Sequence, residues 1–296
     1  MRIGIWIGAQ APSLDHITEQ VRGATAAGRA SAWLGGNDGW DALTALTVAG
    51  TLVPDIALGT AIVPTYPRHP LVLASQALSV QAAIGNRLSL GVGVSNRFVV
   101  EGQYGASFDR PVAHLREYLS ALIPLLRGET VDVQGESVRA AGTVTVPGAR
   151  PPAVLVAALG PTMLRVAGEL ADGTITNWAT PNAIADHVVP TITAAAPNGS
   201  PRIVAATLVC VTDDEAGRRA EVAQRFGRAE QVPSYRAMLD RGGAAGVADT
   251  VVVGDETVVA KHIARMADAG TTELIVHPLG TDAEQARTQA LLTELG

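Results

Sequence analysis

The sequence is short of the groups that most enzyme chemistries require. One cysteine, Cys210, occurs in 296 residues, so no disulfide can close within the chain. It lies in the apolar run VAATLVCV and reads as a buried core thiol. A lone thiol suits a reducing, cytoplasmic compartment. Basic runs are missing: 22 Lys and Arg stand against 28 Asp and Glu, a formal net charge of −6. That balance gives no electrostatic support for nucleic acid or an acidic membrane surface as a partner. No apolar run approaches the roughly 20 residues of a spanning helix. No charged-then-apolar leader opens the chain, so no signal peptide is visible.

Motifs are equally sparse. The six histidines, at positions 16, 69, 114, 187, 262 and 277, show no metal-ligand spacing such as H-x-x-x-H. Those on helical stretches, His16, His114, His187 and His262, are expected to be exposed or capping. G-x-S-x-G is absent, which removes the nucleophile elbow. G-x-G-x-x-G does not follow the first strand, where a Rossmann unit places it. GVGVSN follows a later strand and runs into a loop instead. Hydrolysis and metal chemistry therefore lack their usual residues.

What is present is a large core. Hydrophobic residues make up 47% and charged residues 17%, and no linker breaks the chain, so residues 1–296 read as one domain. The stretch IALGTAIVPTYPRHPLVLASQALSVQAAIGNRLSLGVG, residues 56–93, reads as strand, helix and strand. The strands run from Ile56 to Ile62 and Leu88 to Val94, with a helix from His69 to Ala83 between them and a turn at Gly85-Asn86. Both strands are apolar at successive positions, as in a parallel sheet buried on both faces. The same alternation continues elsewhere. Strands are expected at Arg2–Ile7, Ser31–Leu34, Val154–Ala158, Thr174–Asn177, Ile203–Val211 and Glu273–His277. Thr130–Val146 reads as a β excursion, Ser95–Arg110 as a long polar loop, and Asp213–Gly227 and Pro233–Leu239 as extra helical pieces. Eight strand-helix units favour a closed (β/α)8 barrel over an open sheet.

In such a barrel function lies on the loops after the strands. Those positions hold Gly8 to Gln10, Asn37, Asp38 and Trp40, Ala61 to Tyr66, Ser95 to Arg97, Leu159 to Met163, Asn177 and Trp178, and His277. No close carboxylate pair stands among them. ALGPTML is open to two readings. It is an ordinary helix start, or an anion site in which Gly160 admits a ligand to the backbone and the Thr162 and Met163 N–H groups hold a phosphate. A site of Gly, Asn, Thr and apolar side chains fits a protein that lets a redox cofactor carry the reaction.

RIGIWIG, the stretch LGTAIVPTYPRHPLVLASQALSVQAAIGNRLSLGVG, HLREYLSALIPLLRGE, PAVLVAALGPTMLRVAGELADG and VVGDETVVAKHIARMADAG together resemble the luciferase-like monooxygenase superfamily, in its deazaflavin-dependent branch. The resemblance spans nearly the whole chain. It implies a TIM barrel with an insertion around the seventh strand, usually dimeric. It also implies an oxidoreductase that moves hydride between coenzyme F-420 and a small organic substrate. FMN is the alternative cofactor, in a monooxygenase, and a non-catalytic cofactor-binding barrel is the third reading. By the same resemblance a bulge at Ala61-Ile62, often a cis peptide, backs the cofactor ring. Val94, Ser95 and Asn96 flank that ring, and Leu159, Gly160, Pro161, Thr162 and Met163 hold its phosphate end. Sugar-phosphate dehydrogenase relatives carry a His and a Glu where this chain has Asn37 and Asn96. Neither amide titrates, so neither serves as a general acid or base. Asn37, Asn96 and Asp38 remain candidates to touch substrate, with Asp38, Tyr66 and His277 as proton donors.

Overall fold

A computed structural model describes residues 1–8, 11–35, 39–197 and 199–296. In chain order the strands are β1 (Arg2–Trp6), β2 (Ser31–Leu34), β3 (Ala57–Thr60), β4 (Val63–Pro64), β5 (Leu88–Gly93), β6 (Val131–Gln134), β7 (Arg139–Gly142), β8 (Ala153–Ala157), β9 (Gly173–Asn177), β10 (Arg202–Val211), β11 (Val252–Gly254) and β12 (Glu273–Pro278). Eight of them, β1-β2-β3-β5-β8-β9-β10-β12, pair in parallel, and β12 closes the ring on β1. With helices outside, this is a TIM barrel. Among the described residues no helix is long and apolar enough to cross a membrane.

The helix ends follow their sequence signals. Ser13 accepts the His16 N–H and caps Leu14–Ala26, while Asp41 accepts the Thr44 N–H and caps Ala42–Leu52. Gly85 and Asn86 make the expected turn, both with left-handed φ (69° and 64°). Four details differ from the sequence reading. The strand expected over Ile56 to Ile62 ends at Thr60, breaks at Ala61-Ile62 and resumes as β4 against β5. The polar loop Ser95–Arg110 contains a helix, Arg97–Gly102, whose Val99 N–H is capped by the Asn96 side chain at 3.2 Å. The apolar stretch before Gly254 forms β11, which extends β10 beyond the ring. The helical run after β9 widens to a π turn over Ile184–Val188. Pro190 explains the last point, because it has no N–H to give the Asp186 carbonyl.

Inside the barrel, small and large residues alternate by layer. The Trp33 indole fills the middle, buried among Leu155, Ile175, Val204 and Ile275. Its neighbours on β1 and β3 are glycines. A Cβ on Gly59 would lie 2.2 Å from the indole, and one on Gly4 would lie 2.9 Å from its Nε1. Below Trp33 sits Glu273, 1% exposed, which accepts from Ser31 Oγ (2.5 Å), Trp33 Nε1 (3.0 Å) and Arg202 (3.0 Å). The bottom of the barrel is thus polar but paired, and the open space lies at the other end. Gly59→Ala should lose about 1–3 kcal/mol by overpacking Trp33. An unchanged urea midpoint would show that the indole can move aside.

Candidate active site

A cleft of ≈ 230 Å³ opens at the C-terminal ends of the strands. One side is the break after β3, where the Ala61-Ile62 peptide is cis, as the resemblance implied. The Ala61 N–H donates to Leu34 O at 2.9 Å. Gly35 packs against the same peptide so closely that a Cβ there would lie 2.0 Å from the Ala61 oxygen. Val94, Ser95 and Asn96 line the next side, then Leu159, Gly160 and Met163 after β8. These eight residues, separated in sequence by up to about a hundred positions, are brought to one cavity. Pro161 and Thr162 do not line it. They form the first turn of the helix Pro161–Leu170 beside it.

Among the described residues, the polar groups facing the cleft are uncharged. Asn96 spends its Oδ1 on the Val99 N–H, and Asn177 spends its own on the Trp178 N–H at 3.0 Å. Backbone donors therefore fix the orientation of both amides, and each leaves an NH2 without a described protein acceptor. Ser95 and Trp178 hold left-handed φ values of 61° and 55°. Such conformations are uncommon away from glycine and persist only where surroundings impose them. Ser95, two residues past β5, lines the cleft, and Trp178 directly follows β9 beside the lining residue Asn177.

The loop after β8 is held from behind. His187, in the π turn, meets Leu159 O through Nε2 at 2.8 Å. Gly160 caps the helix Pro161–Leu170 with φ −82° and no side-chain bond, so its first N–H groups are open. A Cβ on Gly160 would meet nothing within 4 Å. No described residue requires glycine there, and the position faces open space. Arg165 reaches back to Thr162 Oγ1 at 3.2 Å, adding a cation to that helix end.

A sequence profile described as luciferase-like monooxygenase matches residues 1–273. The chain belongs to the luciferase-like monooxygenase family. A Mycobacterium tuberculosis protein provisionally named a coenzyme F-420-dependent oxidoreductase is 28% identical, over 99% of this chain and 97% of its own length. Among solved structures, the coenzyme F-420-dependent tetrahydromethanopterin reductase of Methanopyrus kandleri superposes with a TM-score of 0.77 at 22% identity, covering 99% and 97% of the two chains. An F-420-dependent secondary alcohol dehydrogenase, bound to an F-420–acetone adduct, gives 0.80 at 15% identity, covering 98% and 97%. At these identities the two structural likenesses establish the shared family fold.

Within that family barrel, several residues sit elsewhere than expected. Tyr66 is away from the cleft, stacked on His114 with centroids 3.9 Å apart. His114 is buried, not exposed; it shares a hydrogen bond with Thr65 Oγ1 at 3.1 Å, and burial lowers its pKa. His277 stacks on Trp6 at 5.6 Å rather than lining the cleft. Burial, helped by the Arg225 charge, brings its pKa down to about 4, so it is neutral at pH 7. Asn37, Asp38, Ala9 and Gln10 lie outside the described residues.

Sequence reasoning missed Trp6 and Ala206, which face the cleft from β1 and β10. It also missed Val232, Ser234 and Tyr235, which come from the extra segment after β10. A signal for the latter existed: in a barrel, everything between the seventh strand and its helix belongs to the upper loops.

Proposed function

We propose that this chain transfers hydride between coenzyme F-420 and a small uncharged organic substrate. The observation that carries the reading is Gly160. Its Cα faces open space, with nothing within 4 Å of where a Cβ would stand, beside an open helix N-terminus. An anion is stabilised there by free N–H groups and the helix dipole. Gly160, Thr162 and Met163, with Arg165 close by, would hold the cofactor's phosphate. The rest of the cleft fits a planar ring. Ala61 and Ile62 would support its back, Val94 and Ser95 its edge, and the NH2 groups of Asn96 and Asn177 would donate to its carbonyl oxygens.

When bound, F-420 supplies a carbon that gives or takes two electrons as hydride. The protein's part is orientation and exclusion of water. Leu159 and Met163 present apolar surface, and uncharged amide donors stabilise negative charge that develops on a ring or substrate oxygen. The name of the M. tuberculosis relative supports F-420, and the solved neighbours divide: two are F-420-dependent and a riboflavin lyase holds a modified FMN. FMN keeps a place because the family includes monooxygenases and the helix end would accept its phosphate equally.

Anaerobic mixing with chemically reduced F-420 and a panel of ketones, enones and imines tests the reaction. Expected is loss of the reduced cofactor that depends on both protein and acceptor. Turnover only with reduced FMN and oxygen would replace this reading with the monooxygenase. Cofactor binding without turnover on any acceptor would leave a binding protein.

A further inference from the structure

Among the described residues lining the cleft, one side chain can release a proton, Tyr235. The others are apolar residues, glycine, two asparagines, serines and a threonine. Tyr235 belongs to the helix Pro233–Arg241, in the segment that follows β10. Around the eight-strand ring β10 stands four places from β3, so this segment and the Ala61-Ile62 break arise from opposite sides of the barrel. A ring lying on the break would thus have its substrate between itself and this segment.

The Tyr235 phenol is built to donate. Its ring packs against the buried cluster that includes Trp178 and Leu208. Its helix is tied down by Arg236, which donates to Ala244 O (2.9 Å) and Ala245 O (2.8 Å), and by Thr180 Oγ1, which donates to Gly242 O (3.1 Å). The hydroxyl itself has no described protein partner. A packed ring with an unspent hydroxyl is a pre-placed hydrogen-bond donor.

Resting on the F-420 reading above, we propose that Tyr235 is the proton donor of the reduction and that the substrate is an uncharged carbonyl compound whose oxygen meets its phenol. Hydride, released as a C–H bond of the reduced cofactor breaks and the cofactor is oxidised by two electrons, would form a C–H bond at the carbonyl carbon or its conjugated position. The C=O π pair moves to oxygen, the phenol O–H breaks, and a new O–H forms on the product. The phenolate then takes a proton from water. An alkoxide or enolate is a stronger base than a phenolate, so the transfer runs downhill. Desolvation raises the Tyr235 pKa, which keeps the phenol protonated near neutrality. The described lining residues are apolar or neutral polar, a surface that matches an uncharged substrate. A carboxylate or phosphate on the substrate would be buried without a counter-charge, at a cost of several kcal/mol.

The test uses the full-length chain with F-420, 2-cyclohexen-1-one as a neutral probe and the matching ring carboxylate as a charged one. Expected is turnover of the neutral probe only, with Tyr235→Phe slower by about 100-fold. Melting temperature and F-420 affinity should stay at the wild-type values. With oxidised F-420 present, the carbonyl stretch of bound 13C-labelled probe should shift to lower frequency in the wild type and not in Tyr235→Phe. A Tyr235→Phe rate equal to wild type, or turnover of the carboxylate alone, overturns the inference and leaves the cofactor reading in place. So does failure to reduce either probe while F-420 binds. Absence of F-420 binding removes the cofactor reading and the inference with it.

Discussion

Gly160→Asp should keep or raise the melting temperature while weakening F-420 binding by about 100-fold, roughly 2.7 kcal/mol. The two effects are opposed because one position serves two purposes. Gly160 caps the helix Pro161–Leu170 with extended backbone (φ −82°, ψ 155°) that any residue adopts, and a Cβ there meets nothing. Aspartate is a better cap than glycine by a few tenths of a kcal/mol, and its charge at a helix start adds about 0.3–1 kcal/mol. Its carboxylate would occupy the N–H groups of Thr162 and Met163 and repel a phosphate. Gly160→Asn, a neutral cap, should lose less affinity and so separate charge from bulk. Unchanged F-420 binding in Gly160→Asp would show that the helix end is not the phosphate site.

Glu273→Ala should cost about 3–5 kcal/mol, enough to remove much of the stability of an ordinary domain. Glu273 is the acceptor for Ser31, Trp33 and Arg202 at the closed end of the barrel. Arg2 lies at 3.7 Å and adds a weaker, exposed attraction. Deleting the carboxylate leaves Arg202, with 28% of its side chain exposed, short of its partner inside the ring. It also frees Trp33, whose indole the site above rests on. The same arithmetic predicts that a double replacement, Glu273→Met with Arg202→Met, recovers most of the loss, because an apolar pair needs no desolvation. Chemical denaturation of the three variants measures this. A single variant within 1 kcal/mol of wild type would mean that the ion pair is dispensable.

The barrel was legible because its signals are local. Apolar runs mark strands buried on both faces, and Ser13 and Asp41 cap the helices that follow β1 and β2. The cleft-lining residues Ala61, Ile62, Ser95, Asn96, Leu159, Gly160 and Met163 were marked by the rule that barrel chemistry sits after strands, and the family resemblance added Val94. What escaped depended on distance in space. The helix Arg97–Gly102 is six residues long, too short to show a period. His114 reads as a surface histidine until Tyr66 and Thr65 are seen to cover it. Tyr235 sits in a segment with little apolar periodicity, and only the closure of the ring carries that segment over the cleft. Tyr66 follows a strand in sequence, yet its ring turns to His114 and away from the cleft.

Side-by-side titration of the purified chain with F-420 and with FMN, followed by cofactor fluorescence, tests the central claim most directly. The account predicts saturable one-to-one binding of F-420, tighter than that of FMN and weakened about 100-fold in Gly160→Asp. Tight FMN binding with no F-420 binding would contradict it.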